Sequence, residues 1–354
     1  MTSITAEQMD DLALGAAVLG TGGGGDPHIG KLTARAAMAK HGDVTLIKLD
    51  DLDDDALVVP AAMMGAPTVM VEKLPRGDEI VHAFEGLQAY LGRTVTAVTP
   101  IEAGGLNSTT PFIVAATLGL PLVDADGMGR AFPELQMVSP TLDGIAATPM
   151  AIADEKGNSA ILTTCDNQWT ERIARTMTIQ MGGSAFIALY AMSGAQAKKS
   201  LIGGSVSLAI RLGATIRKAR RDKTDPIDAL LAVTGGRRLF HGKITDVQRR
   251  TERGFARGEA VFGGLDEDEG AQLTIRFQNE NLVALRDGRL VASVPDLITV
   301  LDAESGEPIT TETLRYGFRV LVVGMPCAPH WRSEGGLALV GPRIFGYDVD
   351  YQPI

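Results

Sequence analysis

The chain has 354 residues, 45% apolar and 21% charged, with a net charge of −10. That is enough apolar material for two cores, too much for a disordered chain, and the wrong sign of field for a nucleic-acid binder. Two widely separated cysteines, Cys165 and Cys327, fit free thiols in a reducing compartment. The polar, acidic start does not read as a signal peptide, and no apolar run nears the roughly 20 residues of a membrane span. A cytoplasmic protein binding neither nucleic acid nor membrane is expected.

Met9, Leu12, Ala13, Ala16 and Ala17 recur at helical spacing, which predicts a helix over 6–19 with Gly20 at its end. After Thr21 to Gly25, Asp26-Pro27 supplies an N-cap and a first-turn proline, so a second helix should run from Pro27 to about Lys40. Val44 to Leu49, Ala56 to Met64 and Thr94 to Val98 read as strands. Thr110-Pro111 opens a helix that stops at Gly119, and Pro121 to Val123 is a short buried strand. This alternation predicts an α/β domain with a partly parallel sheet over 1–166. Its edge would be a hairpin formed by Ala146 to Ala153 and Ser159 to Thr164.

Over 167–354 a second domain is expected. Its first part, to 235, is helical, with helices at Gln168 to Met181, Ser205 to Arg221 and Pro226 to Val233, the last opened by Asp225-Pro226. Arg217, Lys218, Arg220, Arg221 and Lys223 lie at a helix end, where cations suit the dipole. From 236 the chain turns strand-rich, with strands at 238–249, 271–277, 282–285, 290–294 and 318–323, as in a sandwich or partial barrel.

Four places could carry chemistry. Gly20 to Gly30 looks like a phosphate loop, but it follows a helix instead of a strand and lacks the Walker lysine, so no nucleotide is expected. It is either a tight helix connection or a loop shaping a small-molecule pocket, with Gly24, Gly25, Asp26 and His28 as contacts. Asp124-Ala125-Asp126 follows a buried strand, where ligands of α/β sheets gather; carboxylates there could hold a divalent metal or share base and acid roles, or could simply form a turn. Glu102 to Ser108 occupies the equivalent place after the neighbouring strand, with Gly105 leaving room and Asn107 able to donate to a substrate, or to cap a turn. Cys327 and His330 have zinc-ligand chemistry, but a single short spacing fits a buried thiol beside a surface histidine better. His41, His82 and His241 read as structural. No Gly-x-Ser-x-Gly elbow or His-Glu-x-x-His helix is present.

Gly20 to Pro27, Glu102 to Asn107, Asp124 to Met137, His241 to Val247 and Gly341 to Asp348 together resemble the S-methyl thiohydantoin desulfurase family, across nearly the whole chain. The resemblance implies a hydrolase that converts an S-methyl thiohydantoin to the hydantoin and releases methanethiol, in breakdown of sulfur-containing histidine derivatives. Water must be activated to attack the ring carbon between the two nitrogens, and the departing groups need protons. On this reading Asp124, Asp126 and Glu134 are catalytic, and Glu102, Gly105, Asn107 and Arg130 join the glycine loop in binding the ring. Asp124, Asp126 and His28 would hold one divalent metal, zinc first. A homo-oligomer and a hydantoinase/oxoprolinase-type partner are further expectations. The competing classes are a non-catalytic accessory protein that binds such a ligand or partner, and a nucleotide-dependent enzyme.

Overall fold

The computed structural model describes residues 1–25, 27–65, 76–252 and 254–354; Asp26, an expected ligand contact, lies outside the described residues. The first sheet contains β1 (Thr2–Ile4), β2 (Val44–Lys48), β3 (Leu57–Gly65), β4 (Ala97–Pro100), β5 (Leu122–Asp126), β6 (Met150–Ala153), β7 (Ser159–Leu162) and β8 (Ser184–Ala188). Their spatial order is β1-β2-β5-β4-β3-β8-β6-β7, and two short strands, β9 (Met192–Ser193) and β10 (Ile202–Gly203), pair with β3 and β5. Neighbours within β2-β5-β4-β3 run parallel, whereas β8 and the hairpin beyond it run antiparallel. The expected partly parallel α/β architecture is therefore present. Leu57 to Met64 is buried at every position, as a central strand covered on both faces must be.

Helices α1 (Met9–Leu19), α2 (Pro27–His41), α3 (Glu79–Leu91) and α4 (Thr110–Leu118) follow in chain order. Gly119 ends α4 at φ 67°, the left-handed cap that glycine adopts without strain. After α5 (Ser139–Leu142) come α6 (Asn167–Gln180), α7 (Gly194–Ser200), α8 (Ser205–Asp222) and α9 (Pro226–Thr234). Asp225 caps α9 by accepting from the backbone N–H groups of Ile227 and Asp228. Where α1 crosses α8, a Cβ on Gly15 would overlap the Ala209 carbonyl and one on Gly213 the Asp11 carbonyl, so the two backbones touch directly.

The second sheet has β11 (Arg237–Glu252), β12 (Phe255–Gly264), β13 (Gln272–Gln278), β14 (Glu280–Arg286), β15 (Arg289–Ser293), β16 (Leu297–Asp302) and β17 (Arg319–Met325). Every pairing is antiparallel, in the order β15-β14-β13-β12-β11-β17-β16. Contact between β14 and β16 curls it into a half-barrel around Phe240, Phe262, Phe277 and Val322. The glycine loop stitches the two sheets together: Thr21 and Gly22 accept, at 2.8 Å each, from the backbone N–H groups of Asn281 and Thr311. No helix among the described residues is long and apolar enough to cross a membrane.

Several elements depart from the sequence expectation. β5 continues through Asp126, so Asp124 and Asp126 lie within the strand and not in a loop after it. The helix α3 and the strands β8, β12 and β16 go beyond it. Gly258, Gly263 and Gly264 weaken the strand signal of β12. Gly258 is required there, because a Cβ would strike the Gln248 carbonyl of the paired strand.

Candidate functional site

The carboxyl ends of β3, β4 and β5 lie side by side, which is where open α/β sheets place ligands. A cavity of about 70 Å³ opens there, lined by Met63 to Gly65, by Glu102 and Asn107 after β4, and by Met128 and Phe132 to Leu135 after β5. Gly24 and Gly25 close one side, and the second sheet contributes Asn279 and Glu280 at its β13–β14 turn. At about 10–15 Å³ per water-sized group, this volume holds about five to seven such groups.

Two loops had to approach backbone to backbone to form this wall. A Cβ on Gly24 would collide with the Gly104 backbone, and one on Gly105 with the Gly25 carbonyl; Leu106 N–H donates to the Gly24 carbonyl at 2.8 Å. The glycine run therefore serves close packing as well as pocket shape.

Glu102 is buried, and its Oε1 accepts from Asn107 Nδ2 at 2.7 Å. Burial raises its carboxyl to about 7, against the ordinary 4.5, despite that bond and the nearby Arg130 charge. Asn107 also clasps Met63, accepting from its N–H at 2.7 Å and donating to its carbonyl at 3.2 Å. Both amide hydrogens are thereby used, so Asn107 orients Glu102 and has no donor left for a substrate, contrary to its expected role.

Glu280 is the residue that sequence reasoning missed. It is buried, its Oε2 has no hydrogen-bond partner among the described residues, and burial together with the Glu102 charge drives its carboxyl well above the usual range. Gly23 sits so tightly on this carboxyl that a Cβ would overlap Oε1. The signal was the run Gln278-Asn279-Glu280-Asn281, four polar residues spanning the end of β13 and the start of β14, all buried here. In sequence it looks like a solvated turn; the turn is buried because it docks on the glycine loop of the other domain.

Arg130 is fully buried, and all of its donors are used. Nε reaches the Ala131 carbonyl, one terminal nitrogen the carbonyls of Pro295 and Asp296, and the other Thr21 Oγ1 and the Asn281 carbonyl. Its plane lies 4.6 Å over the Phe132 ring. Burial lowers its pKa to about 10, so it is still cationic at neutral pH. The expected substrate contact is corrected: this guanidinium joins both domains and supplies the positive charge behind Glu280 and Glu102.

The expected catalytic acids part company. Glu134 lines the cavity, accepts from Gln136 Nε2 at 2.5 Å, and is raised by burial. Asp126 is buried behind the cavity wall, where the N–H groups of Met128 and Gly129 bind it and burial lifts it to about 7. Asp124 instead accepts from the Ser207 N–H in the first turn of α8 at 2.9 Å, so its side chain is a helix cap outside the cavity. Exposed His28 lines a separate hollow with Lys31 and Arg217. The expected donor set Asp124, Asp126 and His28 therefore does not assemble, and no group of three or more His, Cys, Asp or Glu side chains among the described residues is placed to hold a metal. Cys327 is buried and His330 exposed, so that pair does not converge either.

Buried acids held near neutrality make the fold pH-sensitive. Glu102 and Asp126 stand at about 7 in the folded chain against ordinary values of 4.5 and 3.8. Their contribution is fully present below the ordinary values and is lost as pH rises through about 7. Glu102 alone accounts for about 3 kcal/mol at 1.36 kcal/mol per unit. Urea unfolding at about pH 5 and about pH 8 should show the free energy falling, less so in Glu102→Gln; a level or rising stability would contradict the assignment.

An α/β domain and an antiparallel half-barrel thus meet at a small cavity walled by interior carboxyls, the build of a two-domain protein with a cavity between its domains. The family model for the S-Me-THD-like N-terminal domain matches residues 7–164, that for the C-terminal domain matches 165–354, and the chain belongs to the S-Me-THD-like family. The chain is also similar to a crystal structure of a protein from Chromobacterium violaceum, with a TM-score of 0.82 and 25% identity over 100% of both chains. A search of the curated proteins returns no match. The family is consistent with a thiohydantoin-related role.

Proposed function

We propose that the protein hydrolyses an S-methyl thiohydantoin to the hydantoin with release of methanethiol, using Glu102 and Glu280 as paired acid and base. The observation that carries this reading is one cavity wall holding two interior carboxyls, the first near neutrality and the second pushed well above the usual carboxylate range by burial. Environments that push two titratable groups apart assign their roles. Ionised Glu102 takes a proton from water as its oxygen bonds to the ring carbon bearing sulfur. The carbon–nitrogen double-bond pair moves to the ring nitrogen, which takes the Glu280 proton. In the collapse, the new hydroxyl returns a proton to Glu280, the carbon–oxygen double bond forms, the carbon–sulfur bond breaks, and methanethiolate takes the proton held by Glu102.

Met63, Met64, Met128 and Phe132 supply a soft, apolar lining that suits a methylthio group, since thioether sulfur packs favourably against sulfur and aromatic surface. The test is a thiol-release assay on S-methylated and unmethylated thiohydantoins. Methanethiol and hydantoin in equal amounts are expected from the methylated ring. Saturable binding of that ring without any thiol release would overturn the hydrolase reading in favour of a ligand-binding protein.

A further inference from the structure

A second hollow, of about 480 Å³, lies on the outer side of the β13–β14 turn. Arg249, Arg250, Arg257 and Arg276 line it together with one carboxylate, Glu259, and the aromatic rings of Phe277, Phe345 and Tyr347. In a chain of net charge −10 this is a local reversal of sign. Three of the four cations are engaged: Arg276 pairs with Glu259 at 3.4 Å, Arg250 with Glu252 at 3.3 Å, and Arg249 donates to the carbonyls of Glu312 and Leu314.

Arg257 differs. Its Nε is buried and has no hydrogen-bond partner among the described residues, and the residue is only partly exposed. A desolvated donor without an acceptor is costly, about 1–3 kcal/mol and more when charged, and a bound ion is one way in which such a group is completed. Arg257 pairs across the strands with Gln278, one residue before the cavity residue Asn279. Its charge also reaches Glu134 on the cavity wall. The hollow and the cavity therefore adjoin at this turn.

We infer that the Arg257 hollow is an anion-binding subsite for a small organic carboxylate or a phosphate, with Arg257 as the principal donor and the Tyr347 and Phe345 rings as its apolar wall. A fork of guanidinium donors matches planar carboxylate or tetrahedral phosphate geometry. The anion has two sources: a free metabolite, or a charged arm on a molecule whose ring occupies the cavity. The second source rests on the proposed hydrolase reading; the first does not.

Calorimetric titration with succinate and with inorganic phosphate tests the subsite without reference to turnover. Saturable, salt-weakened binding is expected, lowered at least tenfold in Arg257→Gln, partly kept in Arg257→Lys, and unchanged in the distant Arg238→Gln. Absence of saturable binding, or equal loss in Arg238→Gln, overturns the proposal. Circular dichroism and thermal melting establish that each variant is folded. To separate the sources, kcat/KM is compared for S-methyl thiohydantoins with and without a carboxylate side chain. A loss in Arg257→Gln at least tenfold greater for the charged ring identifies a substrate arm. Equal effects on both rings, with succinate binding still Arg257-dependent, identify a free anion. Succinate binding that depends on Arg257 in a protein that releases no thiol from either ring would leave the subsite standing and remove only the hydrolase reading.

Discussion

Replacing Glu102 by Gln should lower turnover of S-methyl thiohydantoins by about 10²–10⁴-fold, the usual scale for losing a general base, while the protein still folds. Glutamine keeps the side-chain length and an oxygen that can accept from Asn107 Nδ2, now 2.7 Å from Glu102 Oε1. What it loses is the proton exchange at about pH 7 that burial has arranged. The wild-type rate should therefore rise as pH increases through about 7, as the base ionises, and fall only at higher pH where Glu280, held well above the usual carboxylate range, also loses its proton. In the variant the rise through about 7 should vanish. Because the acid and base act on the reacting atoms, the loss should appear in kcat more than in KM. A Glu102→Gln protein that retains wild-type kcat would remove Glu102 from the chemistry, whatever the fate of Glu280.

Replacing Arg130 by Met should cost about 3–5 kcal/mol of stability, the range for removing one partner from a buried charged network. Methionine fills part of the volume and can still contact Phe132. It leaves the carbonyls of Ala131, Pro295, Asp296 and Asn281, and the Thr21 hydroxyl, without the donor they now share. Those acceptors belong to four separate parts of the chain: the glycine loop, the segment after β5, the start of β14, and the turn before β16. The loss should therefore loosen the seam between the sheets together with the cavity it contains. It also withdraws the cation that tempers Glu280 and Glu102, which should move the rise of any residual activity above pH 7. Chemical denaturation gives the stability and a pH–rate profile the shift. A cost below about 1 kcal/mol, within the ordinary spread of point substitutions, would mean that Arg130 contributes little to holding the seam.

Elements with strong local signals appear where the sequence predicts them. A first-turn proline begins α4 and α9, the latter capped by Asp225, the apolar face of α1 sets its span, and the long apolar run of β3 marks a strand buried on both faces. Local chemistry also marks the two loops that line the cavity, because glycines that permit backbone contact, as at Gly24 and Gly105, are visible as a composition. The division of labour among the acids was not legible. Asp124 and Asp126 stand two apart on one strand, yet one caps a helix that begins some eighty residues later and the other is bound by its own following loop.

Tertiary structure alone decides which carboxyls are shifted, because the shift comes from burial and from charges brought in over long sequence separations. Glu280 comes to face Glu102 only when a half-barrel turn docks on the glycine loop, and four of the five acceptors that saturate Arg130 lie more than 100 residues away along the chain. Periodicity, capping and composition act over a few residues and so are written in the sequence. Desolvation and long-range pairing belong to the assembled interface, and the acidity of this site is a property of that interface.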